Sequence, residues 1–168
     1  MTLKFLKIED LPDALASGRV QAISTREPYI SQCRAKLGNR LRVFAAPGVY
    51  EQIETLIGGE RFLRAHPGVA RAVLAALLEA ETFAAEQPAQ ARAIVARRLN
   101  MTPEAVAAIL PSYDLHVALP QALLTLLEDE TRWAVAAGLA AGPVPDFLRI
   151  LAPEALTELA PERVTLIR

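Results

Sequence analysis

The chain has a single cysteine, Cys33, which excludes an internal disulfide framework and any zinc site built from cysteines. Its expected role is a small apolar residue on a helix. No apolar run approaches the ~18 residues of a membrane span. Neither sign of charge dominates, with 18 Lys and Arg against 19 Asp and Glu. That balance leaves no basic footprint for nucleic acid or for an anionic membrane surface. Catalytic sets are missing as well. His66 and His116 are 50 residues apart, and neither stands at metal-ligand spacing to a second histidine or a carboxylate pair. Gly58–Gly59 lacks the rest of a phosphate-binding loop, and no G-x-S-x-G nucleophile elbow occurs. The expectation is therefore a protein that is not an enzyme, with no catalytic residues, no metal site and no cofactor. The opening MTLKFLKIED has no long apolar stretch and no small-residue cleavage site, so the chain as written is expected to stay in the cytoplasm.

What is present is helical filler. The 168 residues are 52% apolar and 22% charged, which is the balance of a globular domain long enough to bury roughly 70% of its unfolded surface. Alanine and leucine dominate and aromatics reach only 5%, so helix should outweigh strand. Leu3 to Ile8 alternates apolar and basic residues and suits a strand. Asp10 as N-cap and Pro12 in the first turn then open a helix that Gly18 ends. A second strand, Val20 to Ser24, follows at once. The 11-residue gap is close to the ~10–12 minimum of a parallel crossover, so residues 3–25 read as a β-α-β unit. Glu27 and Pro28 start the next helix, which stops at Gly38. Leu41 to Ala45 is a short apolar run closed by Pro47–Gly48, and Tyr50 to Ile57 suits one more strand. From Glu60 the pattern is helical: 61–65, 67–86 with Val69, Val73, Ala76, Leu77, Ala80, Phe83 and Ala84 on one face, 88–99, a helix capped by Thr102 with Pro103 at N1, and 119–138.

Ligands of open parallel α/β sheets bind beyond the carboxyl ends of the strands, which points to Ser24, Thr25, Arg26 and Glu27. The following helix would aim its N-terminal N–H groups at the same place. Arg26 offers a planar fork for a carboxylate, sulfonate or phosphate, and Tyr29 an aromatic wall with a polar tip. The alternative is a surface ion pair of Arg26 with Glu27, with Tyr29 packed beneath the helix. Glu54, with Tyr50 and Gln52 on the same face of the third strand, is a further candidate ligand contact or an exposed edge. Glu130, between Leu126 and Trp133 on the last long helix, is the one carboxylate that falls on an apolar stripe, with Arg132 or a residue of another helix as its expected partner.

Several quoted stretches resemble one family in order along most of the chain. GRVQAISTREPY at 18–29 is similar to a segment written G-x-(Val/Ile)-Asp-Ala, an apolar run, then an aromatic, an acid, Pro and Tyr. Phe62–Leu63 through His66–Pro67, the helix to Phe83, the Gln87–Pro88 break, ARAIVARRLNMT at 91–102, PSYD at 111–114 and Trp133 with Gly138–Leu139 continue it. The chain thus resembles the C-terminal half of the periplasmic solute-binding proteins of the nitrate/sulfonate/taurine class. Gln21 stands where that family has Asp, and Arg26 where it often has an aromatic residue. Relatives that make a thiamine pyrimidine carry a Cys-rich motif that is absent here.

The resemblance implies a helix-rich α/β chain, part of a type II periplasmic-binding-protein fold. Residues 1–26 would end the second lobe, 27–58 would hold the crossover helix and short strands, and 59–168 the helical part of the first lobe. It implies the substrate-binding component of an ABC importer, with a small anionic or heterocyclic ligand such as sulfonate, nitrate, taurine or a thiamine-pyrimidine precursor. Its partners would be the ABC permease once a complete protein is assembled, and a second copy or a separate N-terminal half. Its compartment would be the periplasm or cell envelope. The competing expectation is a helical protein-interaction module without transport function.

Overall fold

Proline, glycine and asparagine punctuate the chain into eight α-helices among the described residues. The computed structural model describes residues 2–44 and 52–167. The run α1 (Leu11–Ala16), α2 (Tyr29–Leu37), α3 (Glu60–Ala65), α4 (Pro67–Glu86), α5 (Pro88–Leu99), α6 (Pro103–Ile109), α7 (Gln121–Ala136) and α8 (Glu154–Leu159) is linked by single 3-10 turns and irregular chain. Proline opens α4, α5 and α6 at the first helical position, where its missing N–H costs nothing. Thr102 caps α6, its Oγ1 accepting the Ala105 N–H at 3.2 Å. Gly138, at φ 71°, ends α7 in the left-handed region while the Leu139 N–H returns to the Ala134 carbonyl at 2.8 Å. Asp10 does not cap α1: it sits inside a 3-10 turn, Ile8–Asp10, and its side chain makes no capping bond.

Helix outweighs strand, with 61% of the described residues helical, but the α/β expectation with its β-α-β unit is corrected. Among the described residues there is no strand, only an isolated parallel bridge between Leu119 and Val164. Leu3–Ile8 and Val20–Ser24 run as irregular chain and a turn. A strand needs at least one edge of its backbone matched by a neighbouring strand, and here local turns take groups at the ends of these segments. The Lys7 carbonyl accepts the Asp10 N–H at 3.0 Å, and the Val20 N–H closes on the Ala14 carbonyl at 3.2 Å. Residues 52–57 of the third expected strand are also irregular, while Tyr50, Glu51 and the Pro47–Gly48 turn lie outside the described residues.

The chain divides into two units, one of Met1–Glu51 with Ala107–Ser112, the other of Gln52–Val106 with Tyr113–Arg168. In the first, α1 packs on α2, and the contact buries Pro12, Ala14 and Cys33. Lys36 Nζ reaches Asp13 Oδ1 at 2.6 Å across the exposed rim of that pair. In the second, α4 packs on α5 and α8, and α7 on the 3-10 turn Phe147–Arg149. Its core includes Ala96, Leu123, Leu124, Leu156 and Ala160.

Two helical faces depart from their expected phase over part of their length. On α4 the more covered positions are Ala70, Leu74, Ala75, Leu78, Glu81, Phe83 and Ala84, so Phe83 and Ala84 of the expected face are covered while Val69, Val73 and Leu77 stand about 40% exposed. On α7 Leu123 and Leu126 are covered as their spacing suggests, together with Leu124, Leu127 and Thr131, but Trp133 stands at 65% exposure. Glu130 is exposed beside it, so it is not a carboxylate on the buried stripe, and Arg132 reaches Glu128 at 2.8 Å and Asp129 at 2.6 Å.

Candidate functional site

The segment Ser24–Tyr29 becomes the entry to α2 rather than the end of a strand. The Arg26 carbonyl accepts the N–H groups of Tyr29 at 3.0 Å and Ile30 at 3.3 Å, so the chain turns through Glu27–Pro28 directly into the helix. The Glu27–Pro28 peptide is cis. Glu27 folds its carboxylate back onto that first turn, Oε2 accepting the Ser31 N–H at 3.0 Å. A negative group is favourable at this end of a helix. The consequence for an incoming anion is direct: one of the donors it would seek is already matched by the chain's own carboxylate.

Around this entry the side chains differ in cover. Ser24 and Arg26 are exposed, while Thr25, Glu27 and Tyr29 are half-buried. Thr25 Oγ1 is fully covered and has no hydrogen-bond partner within the described protein. Buried hydroxyls are nearly always matched, so this covered oxygen without a complement stands out at the entry. Glu54 belongs to the second unit, where the Gln52 side-chain amide donates to its Oε1 at 2.8 Å. The five candidates at 24–29 are thus gathered at one corner of the first unit, and Glu54 is not part of that group.

A second polar cluster, unforeseen from the sequence, lies within the second unit. Glu81 on α4 is 19% exposed at its side chain and Arg163 24%. Arg163 Nη1 donates to Glu81 Oε1 at 2.7 Å and to Oε2 at 2.8 Å, and also reaches the Val117 carbonyl at 3.2 Å. Glu81 Oε2 additionally accepts the Val117 N–H at 2.8 Å. His116 Nδ1 lies 3.0 Å from Arg163 Nη1 and 3.4 Å from Glu81 Oε1.

Burial alone would push the Glu81 carboxyl up. The Val117 N–H, the Arg163 guanidinium and the nearby His116 outweigh it together and hold the carboxyl below its ordinary value. The cluster meets the Leu119–Val164 bridge, where the Leu119 N–H donates to the Arg163 carbonyl at 2.9 Å and the Thr165 N–H to the Leu119 carbonyl at 3.1 Å. Its chemistry is that of a clasp: Arg163 Nη1, both Glu81 oxygens and the Val117 peptide groups find partners inside the protein. The sequence signal for it was Glu81, one of three acids on α4 and the one on its covered face, visible only once the helix phase is right.

No group of three or more His, Cys, Asp and Glu residues that could hold a metal ion occurs among the described residues. Cys33 is 2% exposed, and burial pushes its thiol up, away from the thiolate that reactivity requires. No described helix is long and apolar enough to cross a membrane. Comparison of the chain with family models, with curated proteins and with solved structures finds no match.

Proposed function

We propose that this chain is a partial substrate-binding component of an ABC importer, of the nitrate/sulfonate/taurine class, that holds a small anion or heterocycle at the entry to α2. The observation that carries the reading is the Thr25 hydroxyl, covered and without a partner, next to Arg26 in a turn that leads straight into a helix. A sulfonate or carboxylate would take two parallel N–H bonds from the guanidinium and, once the Thr25 side chain turns outward, one from its hydroxyl, and Tyr29 would wall one side. In this arrangement Glu27 orders the turn and disfavours a second negative charge deeper in the helix end. Such a corner is half of a cleft, and a second lobe is needed to close it over a ligand. Delivery to a permease and a periplasmic location belong to the same reading.

Isothermal titration of the full chain with taurine, an alkanesulfonate and nitrate tests it. The expected result is saturable binding of at least one of them. Arg26→Ala should weaken it at least about tenfold, the scale of a charge-assisted hydrogen bond. Thr25→Val, which keeps the shape and removes the hydroxyl, should weaken it by a smaller factor. Heat from none of the three, or binding indifferent to Arg26→Ala, sinks the reading. A helical interaction module is the second reading, favoured by the exposed stripe Val69, Val73 and Leu77 along α4. It predicts no response to any anion, together with loss of a protein complex on Val73→Glu.

A further inference from the structure

A helix at a protein surface usually turns an apolar stripe inward and a charged face to water. The helix α4 departs from that division. Its covered face packs on α5 and α8. Its exposed charges, Arg71, Glu79 and Glu86, keep to one edge, and Arg71 Nε lies 3.6 Å from Glu158 Oε2 on α8. The remaining side is apolar and uncovered. Val69, Ala72, Val73, Ala76, Leu77 and Ala80 are all exposed, the three larger ones at 40%, 39% and 42%. At about 100° per residue they form one stripe, and no charged side chain falls on it, Glu79 standing at its border. All six belong to the second unit, so the stripe is a property of that unit by itself.

The order of sizes along the stripe is specific. Val69, Val73, Ala76 and Ala80 follow at intervals of four, three and four, the seam of a helix that packs side by side with another. Two such seams can run antiparallel about a two-fold axis midway between Leu74 and Ala75. Val73 then stands level with the partner's Ala76, and Val69 with the partner's Ala80. Ala72 and the partner's Leu77 share a level at the flanks. Every layer thus sets one larger side chain beside one methyl, and the alanines let the two axes approach to about 8 Å. A parallel pair would instead place valine on valine in one half and alanine on alanine in the other. In the antiparallel pair the two Glu79 residues lie about 14 Å apart along the axis, so these like charges do not face each other.

We propose that two copies of this chain pair weakly through α4, antiparallel and face to face, on the stripe from Val69 to Ala80. A second copy is the occupant because the stripe is its own complement in size and sets no charge against its like. The contact is isologous: the same helix of the same unit serves both copies, so the pair is closed and draws no surface from the first unit. Since α4 is already held by α5 and α8, pairing need not form a helix first. About three helical turns bury less than the about 1,200 Å² of ordinary specific interfaces, so the expected dissociation constant is about 10–100 μM. The proposal rests on the interaction-module reading of this face and names its partner. The anion site at the entry to α2 plays no part in it.

Sedimentation equilibrium of the full chain from about 5 to 500 μM tests it. The wild type should pass from one chain mass to two, with nothing larger. Val73→Glu and Ala76→Lys each put a charge into the seam at an exposed position, and each should weaken pairing at least about tenfold. Circular dichroism of both variants should show the helix content of the wild type. Mixed in equal amounts, the two variants should pair more tightly than either does alone. Each mixed pair then holds one Glu–Lys layer and one native Val–Ala layer, an arrangement that the antiparallel register provides. A monomer throughout the concentration range overturns the proposal, as does a dimer indifferent to both substitutions. A mixture no tighter than its components overturns the antiparallel register and the proposal with it. Self-pairing and the wider reading fail separately: with a monomer, the module reading still stands if Val73→Glu breaks a complex with a different protein.

Discussion

Replacing Glu81 by Gln keeps the shape and one acceptor oxygen but removes the charge that answers Arg163. The guanidinium is then left three-quarters covered beside a neutral amide. The expected loss is about 2 kcal/mol of unfolding free energy at neutral pH, the scale of hydrogen bonds to charged groups, read from urea titration. The pH dependence has a fixed sign. The folded Glu81 carboxyl is held below its ordinary value, so its contribution is complete above the unfolded value of about 4.3 and fades as pH falls through the lower folded one. The gap between wild type and Glu81→Gln should therefore close in acid and be constant above about pH 5. A gap unchanged at about pH 3 would show that the charge plays no part. His116 and Arg163 could not be matched to Glu81 from sequence, because both lie in segments without periodicity and meet α4 only through tertiary packing.

Helices were legible because their ends are written in local chemistry. Pro67, Pro88 and Pro103 mark starts, Gly38 and Gly138 mark stops, and none of these needs a distant partner. Thr102 is the clearest instance, and Thr102→Ala should lower stability by about 1 kcal/mol, with Thr102→Ser retaining most of it in thermal unfolding. Equal losses from the two substitutions would assign the effect to packing instead of the cap. Strands are a different case. The residue pattern of Leu3–Ile8 is compatible with a pleated edge, but a pleated edge exists only beside another. Pattern also failed to fix phase: on the Ala-rich α4 several stripes are almost equally apolar, so Val69–Val73–Leu77 and Ala70–Leu74–Leu78 are distinguished only by what packs on them. For the candidate site, the helix start at Glu27–Pro28 was readable, and the Glu27 bond to the Ser31 N–H agrees with it, whereas the unmatched Thr25 hydroxyl was not.

The clasp carries a consequence of another kind, for the order in which the molecule assembles. Glu81 and Arg163 are 82 positions apart, and joining the ends of so long a flexible loop costs about 4 kcal/mol in chain entropy before any contact repays it. The intervening helices must shorten the path first, which makes the clasp a late event in folding. Its loss then falls on the rate of unfolding and leaves the rate of folding almost untouched, so the contact acts as a latch on a structure already built.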